Sequence, residues 1–264
     1  MHARAKWAVV LVAVSLGLAA SRRAFAYRPF VSTDAAVADR GEVEIELGMG
    51  GFRGPHRSAT LDVPELVVNL GVVPDIELVG HFTLATDLTN DPNEEPTRFE
   101  DSGISLKWVA RDGILQDDSG VSLALELDAL LPTLHGQDRP GAQLVGIASN
   151  RTLGWTYHLN AGVLVEPSGS DPSAVWGVTV ERPLIGPLRA VAEVNGESVR
   201  GARPNNSALV GAVWSVTGPA PFHELSFDIG LRHGLSSAAE DWGGTAGVTF
   251  AFPWDLMSTE EAMP

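Results

Sequence analysis

The chain of 264 residues carries 33 Asp and Glu against 18 Lys and Arg, a formal net charge of −15, and no Cys. That balance excludes a nucleic-acid binder, whose affinity comes from Lys and Arg neutralising phosphates. The missing Cys excludes disulfides and thiolate metal centres, and a hydrophobic content of 44% is ordinary, so the arrangement must carry the reading.

His2, Arg4 and Lys6 form a basic start, Trp7 to Ala20 is apolar and uncharged, and Ala24-Phe25-Ala26 fits the small-x-small cleavage rule. The apolar run is short of the ~20 residues that a membrane-spanning helix needs. Residues 1–26 therefore read as a signal peptide cleaved after Ala26, with Tyr27 first in the mature chain. Arg22-Arg23 follows the apolar run instead of preceding it, so it is not a twin-arginine signal. Residues 27–40, with Arg28-Pro29-Phe30, are too irregular for a strand and read as an N-terminal periplasmic lead-in.

From Gly41 the chain alternates apolar and polar residues with period 2, which in a strand sends them to opposite faces. Val43, Ile45 and Leu47 oppose Glu42, Glu44 and Glu46. Leu66, Val68 and Leu70 oppose Glu65 and Asn69; after a turn at Gly71–Asp75, Ile76, Leu78, Phe82 and Leu84 oppose Glu77, His81 and Thr83. Ile104, Leu106 and Trp108 face away from Ser105, Lys107 and Arg111, and Leu123, Leu125 and Leu127 from Ser122, Glu126 and Asp128. In Gln143–Asn150 the rule weakens, because Val145 and Ile147 fall on the polar face. It returns at Trp155–Val163 against His158 and Asn160, and at Trp176, Val178 and Val180 against Thr179 and Glu181. The last strands are Leu188–Val194 against Arg189 and Glu193, Ala208–Trp214 against Ser207 and Ser215, Leu225–Leu231 against Asp228 and Arg232, and Ala246–Phe252 against Thr245 and Thr249.

That makes about twelve strands, each near the ~9–11 residues that cross a bilayer. No later run reaches the length of a spanning helix, and no linker divides 41–252, so these residues form one domain; 253–264 is a C-terminal tail. The fold expected is all-β: a transmembrane antiparallel up-and-down β-barrel. Two features set it apart from a soluble sandwich. Connections after odd strands are mostly long and polar and those after even strands mostly short, as in bacterial barrels; Asp112–Gly120 and Thr217–Pro221 are longer than that pattern, and Pro167–Asp171 is short. The aromatic residues Trp108, Trp155, Trp214 and Phe252 lie on the oily face at one rim, with Trp176 and Phe82 toward the other, as girdles at headgroup level.

The opposite face defines a lumen lined by Glu44, Glu46, Glu65, Glu77, His81, Lys107, Arg111, Glu126, Asp128, His158, Glu181, Arg189, Glu193, Asp228 and Arg232. Glu42, Glu166 and Glu224 add to its acid excess. Inward charges need water or partners, so the lumen is either a cation-favouring passage or a plug in which bases pair with carboxylates. No metal or other cofactor is indicated. The carboxylate-rich loop 87–101 offers oxygen ligands of the kind Ca²⁺ takes, without the spacing of a Ca²⁺ loop. His56-Arg57-Ser58 has the His-x-Ser spacing of lipid hydrolases but lies in a loop with no third orienting group, so the protein does not read as an enzyme.

Arg28 to Ala35 followed by Gly41-Glu42-Val43-Glu44-Ile45-Glu46-Leu47-Gly48, then Gly71–Leu78, Gly103–Trp108, Leu231–Leu235 and Gly244–Phe252, resemble the family named after the meta-cleavage pathway of phenol degradation. Pro74 replaces the expected Thr or Ser, and the tail runs past the usual C-terminal aromatic. The resemblance implies a Gram-negative outer-membrane transporter. The expected function is a channel or transporter for small solutes, including hydrophobic or aromatic ones. The alternatives are a non-conducting structural or display barrel and a lipid-modifying barrel enzyme. Its partners would be outer-membrane lipid, the barrel-assembly machinery and the solute; the oligomeric state is not legible.

Overall fold

The computed structural model describes residues 28–54, 58–89, 96–132, 139–167, 169 and 171–254. Among them are twelve strands: β1 (Glu42–Arg53), β2 (Ala59–Val73), β3 (Ile76–Asp87), β4 (Thr97–Arg111), β5 (Ser122–Leu130), β6 (Gly141–Thr152), β7 (Trp155–Val165), β8 (Ser173–Ile185), β9 (Leu188–Val199), β10 (Asn205–Thr217), β11 (Glu224–Gly234) and β12 (Trp242–Pro253). Each pairs antiparallel with its neighbours in sequence, and β1 pairs with β12 to close the barrel. Closure leaves no unpaired edge, which is the condition for a sheet to cross a bilayer. No described helix is long and apolar enough to cross a membrane.

The outer face is apolar and open: Ile104, Leu127, Leu144, Leu159, Val210 and Ile229 are all exposed. A continuous apolar band of this kind would associate in water, and it matches the lipid-facing belt of an outer-membrane barrel. Phe82 packs edge-on against Phe99, and Phe222 against Phe250 and Phe252. Trp108, Trp176 and Trp214 are exposed, Trp155 lies beneath the Arg182 guanidinium at 4.8 Å, and Phe252 is half-buried. Trp242 and Trp254 extend this exposed aromatic set at the two ends of β12.

Strands run further into the connections than the alternation indicated. β4 begins at Thr97, so Arg98, Phe99, Glu100 and Asp101 are strand residues and not part of an acidic loop. The cause is pairing: Thr86, Ala85, Leu84 and Thr83 find partners at Thr97, Arg98, Phe99 and Glu100. The long connection 112–121 contains a 3₁₀ turn at Ile114–Gln116, whose Gln116 side chain donates to the carbonyl of Ala35 at 2.7 Å.

Ala35 belongs to the segment placed outside the barrel as a lead-in, and here the structure corrects the sequence. Residues 28–40 lie within the barrel; Arg28, Ser32, Asp34, Ala35, Ala36 and Ala38 are buried. The segment has no strand ladder, so its backbone N–H groups need acceptors from the wall. The residues 1–26 read as leader, the tail beyond Trp254, His56 and Arg57 lie outside the described residues, as does the centre of loop 87–101.

Candidate functional site

The inward wall and the N-terminal segment form one polar system. Starting from the short-turn rim, the Ala38 N–H donates to Glu77 of β3 at 2.6 Å, and Asp34 lies 3.6 Å from Lys107 of β4. The Ala35 N–H donates to Ser149 of β6 at 2.9 Å. On β7 the Asn160 amide accepts from the Thr33 N–H at 2.9 Å and donates to its carbonyl at 2.7 Å. Glu193 of β9 accepts the N–H groups of Val31 and Ser32 at 3.0 and 2.7 Å. Arg28 then reaches Asp228 of β11, Thr245 of β12, Glu46 of β1 and Glu65 of β2. The segment thus makes a circuit of the interior, touching the strands in the order in which they stand around the ring.

Apolar contacts hold the same path. Ala35 packs with Ala124, Val145 and Ile147, joined by Leu115 from the 112–121 connection. Phe30 packs on Val191, Leu209 and Val213. Val145 and Ile147, which break the polar face of β6, are therefore the wall's contact with the segment. Val191, Leu209 and Val213 are equally out of place on a solvated lumen face. Sequence reasoning did not use them, and they are the signal by which an internal segment could have been found.

The predicted lumen residues fall into three groups. Glu44, Glu46, Glu77, Lys107, Asp128, His158, Glu181, Glu193 and Asp228 are buried inside. Asn69 bridges Glu44 and Glu46 at 3.2 and 3.1 Å, and Ser105 donates to Asp128. Glu65, His81, Glu126, Arg189 and Arg232 are half-buried; His81 Nδ1 contacts the Asp101 carbonyl, and Arg232 stands 3.8 Å from Glu193. Arg111 is exposed at the end of β4, close to Gly120, and so lies at the rim. Arg28, Asp34 and Ser149 are interior participants that the alternation did not single out, and Asn69 and Asn160, which it placed on the polar face, join them.

Ser149, His158 and Glu181 form a hydrogen-bonded row across β6, β7 and β8, with His158 Nδ1 at 2.8 Å from Ser149 Oγ and Nε2 at 3.0 Å from Glu181. The residue types are those of an activated nucleophile. Ser149 is 0% exposed, however, and its oxygen already accepts the Ala35 N–H. Ser149, the one member that could act as a nucleophile, therefore has no face open to a substrate, although His158 and Glu181 border the cavity described next. Among the described residues no cluster of His, Asp and Glu is suited to hold a metal ion.

Between the segment and the short-turn rim is a cavity of about 950 Å³, lined by Glu42, Arg151, His158, Glu181, Arg189 and Glu224 among others. Its charges are mixed: Arg40 and His223 also line it, with His223 3.9 Å from Glu42. Glu42 and Glu224 come from β1 and β11, while Arg151, His158 and Arg189 come from β6, β7 and β9 on the opposite arc. Glu181 sits among these bases, 3.4 Å from Arg189.

No family model matches the sequence, and no curated protein matches it. Solved structures do match the fold. An outer membrane channel from Pseudomonas putida F1 aligns over 84% of this chain and 100% of its own, with a TM-score of 0.57 at 10% identity. The CymD monoaromatic hydrocarbon channel aligns over 82% and 89%, with a TM-score of 0.45 at 10% identity. The first of these likenesses shows that the chain has the fold of an outer-membrane β-barrel.

Proposed function

We propose that the protein is an outer-membrane channel for small solutes, with an acidic lumen narrowed by its own N-terminal segment. The observation that carries this is a closed barrel, apolar outside, whose inside is lined by charged groups on nearly every strand. Twelve tilted strands enclose a ring about 24 Å across between backbones, too wide for side chains alone to fill, as they do in eight-stranded barrels. Carboxylates outnumber bases along the wall, which raises the local concentration of cations and repels anions. The channel with the same fold supports passage through the barrel, and the resemblance to the phenol-degradation family supports small organic solutes, aromatic ones among them.

A salt gradient across a planar bilayer containing the protein should give a reversal potential of cation-selective sign. Glu44→Gln with Glu126→Gln should reduce it, and an outward change such as Leu66→Val should not. Anion selectivity would overturn the acidic-lumen reading. The segment's ring of contacts favours a second reading, a barrel that does not conduct, and absence of current at any voltage would establish it.

A further inference from the structure

Arg28 is held by the barrel as a ligand is held by a site. Its Nη1 pairs with Glu65, its Nη2 donates to Thr245 Oγ1 at 2.6 Å and to the Ala246 carbonyl at 3.3 Å, and its Nε faces Asp228 at 3.7 Å. Its backbone N–H donates to Glu46 at 3.2 Å. The guanidinium's partners come from three strands, β2, β11 and β12, and match its planar fork, which a point-charge ammonium does not fill; Glu46 of β1 holds the backbone beside it.

The wall leaves room for this group. Gly48 and Gly247 stand opposite each other across β1 and β12. A Cβ at Gly48 would lie 1.9 Å from Arg28 Cζ, and one at Gly247 would lie 2.4 Å from its Nε. The guanidinium occupies a patch of wall from which side chains are absent. Around it are three carboxylates for one cation. The Asp228 side chain is 2% exposed, and among the described residues neither of its carboxylate oxygens has a hydrogen-bond partner. A buried carboxylate in that state retains unused capacity to accept from a cationic donor.

We propose that Glu65, Asp228 and Thr245 form a guanidinium-binding site in the lumen, filled by Arg28 when the N-terminal segment is in place, and that solutes bearing a guanidinium take the same site by displacing it. The entry of solutes rests on the channel reading; the site itself does not. Because Arg28 is tethered, it competes at an effective concentration of order millimolar, so a free guanidinium at similar strength exchanges with it.

The test is chemical rescue. Arg28→Ala and Arg28→Ala/Asp228→Asn proteins, folded in detergent, are compared with methylguanidinium or tetramethylammonium chloride at equal millimolar strength. Methylguanidinium should raise the thermal midpoint of Arg28→Ala by several degrees, since a ligand bound to the folded state alone stabilises it. Tetramethylammonium should not, and the double variant should respond to neither. Equal responses to both cations, or none from Arg28→Ala, overturn the site. Should Arg28→Ala not fold, Ser32→Cys supplies a single buried thiol in a chain without Cys. Its maleimide labelling should then speed up about tenfold with methylguanidinium as Arg28 is released, and equal rates with both cations overturn the proposal. Neither readout uses current, so a barrel that binds methylguanidinium and never conducts sinks the channel while keeping the site.

Discussion

Lys107 Nζ stands 3.6 Å from Asp34 Oδ1, joining the barrel wall near the short-turn rim to the segment that crosses the lumen. Both side chains are buried. Lys107 also feels Glu77 and Glu126, so among the described residues it is the cation that balances a group of three acids. The two ends of this pair are therefore unequal. Asp34→Asn leaves Lys107 with two carboxylates and should cost about 1.5–3 kcal/mol, the scale of one hydrogen bond to a charged group. Lys107→Met leaves three acids without their cation and should cost about 3–5 kcal/mol, the range for an uncompensated buried charge. Urea unfolding of the refolded protein measures both; equal losses would show that Lys107 answers to Asp34 alone.

The strands were legible because period-2 alternation is a local property of the chain. Glu44, Glu77 and Glu193 could be assigned to the inside from neighbours two residues away. The internal segment was not legible in that way. Residues 28–40 have no periodicity, and their partners (Glu193, Asn160, Ser149) are side chains that look like ordinary lumen residues until the segment is against them. The misfits of Val145 and Ile147, and of Val191, Leu209 and Val213, mark its path, because an apolar side chain facing a lumen needs a dry partner. The excess length of 112–121 has the same origin, since Leu115 and Gln116 turn inward to hold Ala35.

The two rims should face opposite compartments. With an even number of strands both ends of the barrel lie on the periplasmic side, together with the tight turn at Leu153-Gly154, where both residues have positive φ. A tag inserted between Thr89 and Pro96 should be labelled on intact cells, and one at Leu153-Gly154 only after the outer membrane is opened. The reverse pattern would invert the barrel.

The exposed tryptophans report the height of the bilayer. Trp108, Trp214 and Trp254 cluster toward the short-turn rim, and Trp176 and Trp242 toward the long-loop rim. Amphipathic rings prefer headgroup level. Fluorescence in vesicles should thus be quenched more by lipids brominated near the headgroup than by lipids brominated at the chain ends. Stronger quenching from the chain ends would place these rings at mid-bilayer and remove the girdle.

Removal of residues 28–38 separates what the segment does to size from what it does to charge. The deleted stretch carries one base, Arg28, and one acid, Asp34, so the lumen's net charge is unchanged. The strand ladders, including the β1–β12 closure, do not involve these residues and should persist, which slower migration after boiling on a gel would verify. The circuit of contacts from Glu77 round to Glu65 would be lost, leaving its carboxylates in water. Single-channel conductance should therefore rise several-fold while the reversal potential keeps its cation-selective sign. A folded deletion variant with unaltered conductance would show that ions do not pass along the path the segment occupies. One with higher conductance and reversed selectivity would show that the wall's acids do not set the preference.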